Sequence, residues 1–101
     1  MSDESNAAVV AMFHARAKPG QEDRLNKLLE EAVAHTKLEP GNLACEFHRH
    51  ETEEREFIMI ERWASKSDYD VHLARPHAQQ LNVSLGDCVE HSRTDVTSIL
   101  R

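Results

Sequence analysis

The sequence predicts an α+β domain with the element order β-α-β-β-α-β. Three observations carry that expectation. The proline-glycine turns Lys18-Pro19-Gly20 and Glu39-Pro40-Gly41-Asn42 bracket a segment whose apolar residues recur with helical spacing. Two central segments alternate apolar and polar residues with the period of a strand. A second helical segment, broken at Pro76, then precedes a final β-rich stretch.

The first six residues, Met1 to Asn6, are polar and acidic and read as a disordered tail ahead of one domain over residues 7–101. Residues 7–17, Ala-Ala-Val-Val-Ala-Met-Phe-His-Ala-Arg-Ala, form a strand that stops at Pro19-Gly20. From Gln21 to about Leu38, the set Leu25, Leu28, Leu29, Ala32 and Val33 follows i, i+3, i+4, i+7, i+8, one stripe of an amphipathic helix. Proline and glycine at 40 and 41 end it, because proline cannot continue the hydrogen-bond ladder. Leu43, Cys45 and Phe47 alternate with Ala44, Glu46 and His48 in the second strand. The polar run Glu51 to Arg55 is a hairpin connection to a third strand, Phe57 to Trp63. Ser65 offers an N-cap with Asp68 three residues later, and Tyr69, His72 and Leu73 share one face of the helix that follows. Pro76 suits the first position of a further helix carrying His77, Leu81 and Leu85, closed by Gly86. The last strand runs roughly from Cys88 to Leu100.

Two βαβ-like halves joined in an antiparallel sheet make the ferredoxin-like arrangement, with both helical segments on one face. The first and third strands are nevertheless apolar on both faces: Val9, Ala11 and Phe13 against Val10 and Met12, and Phe57 and Met59 against Ile58 and Ile60. A sheet with one solvated face should alternate cleanly instead. The chain has no element left to cover the second face, so a homodimer through the sheet faces is expected.

At 101 residues the chain suits one domain. Eighteen acidic residues against 12 basic give a net charge of −6 with no basic run, which argues against a nucleic-acid or anionic membrane surface. No stretch reaches the roughly 18 apolar residues of a membrane-spanning helix. The acidic N-terminus is unlike a signal peptide, so a cytoplasmic setting with Cys45 and Cys88 as reduced thiols is expected. Seven histidines in so short a chain are the compositional hint of chemistry.

Alternation puts Phe57, Met59, Glu61 and Trp63 on one strand face. If that face meets the helices, Glu61 and Trp63 stand near the broken second helix, and the break at Pro76 leaves room for a cavity there. An apolar pocket with a few convergent polar groups is the default ligand site. Most of these residues also have plain structural uses: Trp63 and Tyr69 as core, His72 as a hydrogen-bonded buried histidine. His77 sits near a helix N-terminus, where the dipole disfavours its charged form. His48-Arg49-His50 is a His-x-His pair with metal-ligand spacing, but alternation turns it away from the helices and no third ligand follows from the sequence. No metal site is therefore expected. Cys45 reads as a packed thiol, and His14 and His35 as solvated or interface residues.

The segments Ala17-Lys18-Pro19-Gly20, Glu39-Pro40-Gly41-Asn42, Glu61-Arg62-Trp63 and His72-Leu73-Ala74-Arg75-Pro76-His77 occur in that order. As an ordered set they resemble the antibiotic biosynthesis monooxygenase (ABM) family of dimeric α+β barrels, from about Val9 to Leu100. The resemblance implies a ferredoxin-like homodimer with a cavity between sheet and helices in each subunit. It also implies chemistry similar to that of quinol monooxygenases using no metal or flavin, or of small-molecule isomerases. On the oxidative reading, a base removes a phenolic proton from a hydroquinone, and the anion passes an electron to O2 in a dry pocket. Histidine supplies a base active near neutrality. His72 is the first candidate and His77 the second, with Tyr69, Trp63, Glu61, Phe57 and Met59 as substrate contacts and walls. The spacing of Trp63 and Tyr69 is similar to the polyketide-oxidising branch, but Met59 stands where that branch has asparagine. A haem-degrading branch fits worse: Asn82 and Phe13 occupy the positions of its histidine and asparagine. The alternatives to oxidation are a non-oxidative isomerase and a non-catalytic ligand-binding dimer.

Overall fold

The computed structural model describes residues 7–100. The tail expected over residues 1–6 lies outside them. The elements run β1 (Val9–Ala17), α1 (Glu22–Thr36), β2 (Asn42–Arg49), β3 (Glu56–Trp63), α2 (Lys66–Ala74), α3 (Pro76–Cys88) and β4 (Val89–Ser98). The four strands pair antiparallel in the order β2-β3-β1-β4, which is the ferredoxin-like fold. No helix among the described residues is long and apolar enough to cross a membrane.

Both proline-glycine turns close with an i to i+3 hydrogen bond: the Gln21 N–H donates to Lys18 C=O and the Asn42 N–H to Glu39 C=O. Gly20 and Gly41, each at φ +84°, hold the left-handed position that follows proline in a type II turn. A Cβ at Gly41 would collide with the Asp68 carboxylate, so this turn also lets α2 approach closely. On α1 the stripe buries Leu25, Leu29 and Ala32. On β1 and β3 the buried residues are Val9, Ala11, Ala15 and Ala17, and Phe57, Met59, Glu61 and Trp63. These pack beneath the helices, where each large apolar side chain contributes about 1.5–3 kcal/mol. Val10, Met12, Ile58 and Ile60 lie half-buried on the opposite face.

Ser65 caps α2, its Oγ accepting the Asp68 N–H at 3.1 Å. Pro76 occupies the first turn of α3, and the residue before it, Arg75, is extended at φ −70°, ψ 146°. This break brings the last turn of α2 and the first turn of α3 round a common point, with His72 on one side and His77 on the other.

The structure departs from the sequence reading at the end of α3, at the bounds of β4 and in the facing of Leu43. Gly86 does not close α3, which continues to Cys88 and passes straight into β4 at Val89. The Cys88 thiol is fully buried in the core and its carbonyl accepts the Lys18 N–H, so the last turn is held by tertiary contacts. β4 accordingly starts at Val89 and ends at Ser98. Leu43 does not share the inner face with Cys45: the β2–β3 register shifts between Asn42 and Ala44, leaving Leu43 60% exposed.

Candidate active site

A cavity of about 100 Å³ opens between the sheet and the paired helices α2 and α3. Ala11, Phe13 and Met59 form its apolar floor, and Leu73, Ala78, Leu81 and Leu85 its roof. Ala11 sits opposite Glu61 in the β1–β3 register, and its small side chain leaves space above the sheet. The polar groups on the wall are Glu61, Tyr69, His72, Asn82 and Thr94.

His72 is 7% exposed and lies between two carboxylates. Its Nδ1 lies 2.9 Å from Glu39 Oε2, and its Nε2 lies 3.6 Å from Glu61 Oε1. Glu39 Oε2 also receives His77 Nε2 at 2.7 Å. A carboxylate oxygen has only lone pairs to offer, so a ring nitrogen bonded to it carries the hydrogen. Glu39 thereby places hydrogen on His72 Nδ1, while Nε2 faces Glu61 Oε1 beyond hydrogen-bond distance. The other Glu39 oxygen, Oε1, forms an ion pair with Arg75 Nε at 2.8 Å, but the N–H is not aligned on it as a hydrogen bond. Glu39 itself is 9% exposed, placed by the Pro40-Gly41 turn.

The second carboxylate, Glu61, is 5% exposed. Burial pushes its carboxyl above the usual range, reinforced by Glu39 and opposed by His72 and by the hydrogen bond from Trp63. That bond runs from Trp63 Nε1 to Glu61 Oε1 at 3.0 Å. The Trp63 ring lies against the His72 ring with centroids 4.9 Å apart. Burial also raises the Tyr69 phenol, with Glu61 and Asp70 adding to it, so Tyr69 is a neutral donor.

The candidates from the sequence thus separate. His72, Tyr69, Glu61 and Met59 line the cavity. Trp63 is fully buried behind Glu61, its only polar hydrogen spent on that carboxylate, so it supports the wall rather than reaching the cavity. Phe57 belongs to the apolar core with Leu25 and Leu29. His77 lies outside the cavity and faces a groove between α1 and α3, stacked on His35 at 5.2 Å. His48 is exposed and paired with Glu46, and His50 Nδ1 accepts the N–H groups of Thr52 and Glu53 in the hairpin. Sequence reasoning missed Glu39, Arg75, Asn82 and Thr94. Only the Pro-Gly turn after Glu39 hinted that its backbone was specially placed.

An open antiparallel sheet with helices on one side, and a cavity between them, defines a ferredoxin-like α+β protein. Residues 8–83 match the antibiotic biosynthesis monooxygenase family, and the chain belongs to it. Sixty-nine residues, 68% of this chain, are 25% identical to an uncharacterized protein of Synechocystis sp.. They cover 47% of that protein, so the chain spans about half the length of this relative. A crystal structure from Pseudomonas aeruginosa is similar at a TM-score of 0.87 and 20% identity, covering 98% of this chain and 100% of that one. A Mycobacterium tuberculosis structure gives 0.88 and 20%, covering 94% and 97%. These two likenesses carry the fold.

Proposed function

We propose that this protein is a cofactor-independent monooxygenase that oxidises a small hydroquinone or phenol with O2 and works as a cytoplasmic homodimer. The observation that carries the reading is buried His72 in the cavity wall, its Nδ1 2.9 Å from buried Glu39 Oε2; on this reading the lone pair is on Nε2. Substrate O–H gives its proton to His72 Nε2, and Glu39 steadies the resulting imidazolium. The electron-rich anion passes one electron to O2, and the organic radical and superoxide join through a new C–O bond. The peroxide takes back the proton held by His72; the ring C–H and O–O bonds then break, leaving one oxygen on the ring as a quinone carbonyl and the other, with both protons, as water. Tyr69 and Asn82 would hold substrate oxygens, with the ring between the apolar floor and roof. The volume is of the order of the ~150 Å³ cavity that accommodates benzene, which favours one ring over several.

The dimer rests on Val10, Met12, Ile58 and Ile60, an apolar strip at the centre of the sheet face that carries no helix. Charged and polar side chains at Glu46, His48 and Asp95 flank it on the edge strands, a polar rim round an apolar centre.

The test is oxygen uptake and quinone formation with monocyclic hydroquinones and reduced menadione, run aerobically and anaerobically. Enzyme-dependent uptake that disappears in His72→Ala is expected. No uptake with any quinol would overturn the oxidative reading in favour of isomerisation or ligand binding.

A further inference from the structure

We infer that Glu39, His72 and His77 form a binding site for a divalent first-row transition ion such as zinc, and that its occupancy switches off the His72 base. The switch, though not the site, rests on the function proposed above.

Three ligand atoms converge there: Glu39 Oε2, His72 Nδ1 and His77 Nε2, all within 4.8 Å of one another. Two imidazoles and a carboxylate are a donor set suited to zinc and its neighbours. Bonds of about 2.0–2.2 Å put tetrahedral ligands about 3.4 Å apart, so shifts of less than about 1 Å per side chain would close the site. The surroundings match what metal ligands need. Arg75 engages the second Glu39 oxygen, which keeps the carboxylate monodentate through Oε2. Glu61 Oε1 stands 3.6 Å from the far nitrogen of His72, close enough for a small approach to complete the carboxylate–histidine–metal arrangement that orients a ligating ring.

An entry path exists on the His77 side. His77, 26% exposed, faces the groove of about 160 Å³ between α1 and α3, with Glu31, His35 and Gln80 around it. That groove is not the substrate cavity, to which Glu39 and His77 do not contribute. An ion bound there would meet His72 from behind. Coordination moves the hydrogens of the two ligating nitrogens, His72 Nδ1 and His77 Nε2, to the far nitrogen of each ring, so that His72 carries hydrogen on Nε2, facing Glu61. The ring then has no lone pair for substrate. Base catalysis and metal binding are therefore two exclusive tautomeric states of one histidine.

The experiment uses the full chain stripped with chelator. Zinc is titrated in competition with a chromophoric chelator, and cobalt(II) is added as a spectroscopic probe. Ring nitrogens are followed by long-range 1H–15N correlation. One equivalent per chain is expected, with zinc on His72 Nδ1 and His77 Nε2. Affinity should fall more than about 100-fold in His77→Ala and in His77→Gln, exceeding the usual 10–100-fold cost of losing a supporting residue. His48→Ala should bind as the parent does. Absence of stoichiometric binding at tens of micromolar zinc, or ligation at His48 and His50 instead, would overturn the site. A second arm adds zinc during quinol oxidation. Loss of turnover in step with occupancy is expected, and unchanged turnover at full occupancy would overturn the switch. If the metal-free protein oxidises no quinol, the functional reading fails while the binding arm still decides the site.

Discussion

The helix-covered face of the sheet has two ends, and they are built on different principles. Under α1, the core of Ala15, Ala17, Leu25, Leu29, Phe57 and Cys88 is close-packed and apolar. Under α2, the buried set is Val9, Ala11, Trp63 and Tyr69 together with Glu39, Glu61 and His72, and a cavity lies beside them. Burying two carboxylates and an imidazole is costly unless each is partnered, and a plain hydrophobic replacement would often be as stable. The first end supplies stability. The second spends part of it on fixing the orientation of one histidine.

This contrast can be broken in four ways. The largest effect is expected at the polar end: His72→Ala should lower quinol oxidation by about 10²–10⁴-fold, the usual worth of general acid–base catalysis, with an unchanged circular dichroism spectrum. Alanine is the better helix former and Tyr69 still anchors α2. Next, Ile60→Glu on the opposite sheet face should convert a dimer of twice 11.5 kDa into monomer by sedimentation, since an unpaired buried charge costs about 3–5 kcal/mol. A sedimenting monomer before any mutation would remove the dimer argument. At the apolar end, Leu29→Ala should cost about 2–5 kcal/mol in urea unfolding while leaving turnover per folded molecule unchanged. A matching loss of activity would mean that the two ends are not separable.

The smallest effect concerns Cys45, whose thiol is pushed up to about 12, chiefly by burial and then by Glu61. The folded state thus holds this proton at pH values where the unfolded chain releases it, near 9. Stability should therefore decline as pH rises from about 9 toward 12, and Cys45→Ala should flatten that part of the curve. Identical slopes in the two proteins would show that the thiol is not the group responsible.

Much of the apolar end was legible because it repeats with fixed periods. The Leu25, Leu29, Ala32 stripe and the alternation of Phe57 and Met59 each state their facing directly. The same alternation put Glu61 and Trp63 side by side, and helical phase brought Tyr69 and His72 inward. What sequence could not show was which partners these groups meet. Glu39 sits in a Glu-Pro-Gly-Asn stop that reads as a surface turn, and its role depends on residues 33 and 38 positions away. Trp63 was expected to touch substrate, yet its N–H is consumed by a neighbour two residues back on the same strand face. The bulge that turns Leu43 outward leaves no mark in a period-2 pattern.

The assignment of His72 as the base can be tested without a substrate. The measurement is the tautomer of His72 in the metal-free protein, read from its two ring 15N shifts. Hydrogen on Nδ1, bound to Glu39, and a bare Nε2 beside the cavity are expected. Hydrogen on Nε2 with a bare Nδ1 would contradict the assignment, because His72 would then have no lone pair to offer a substrate.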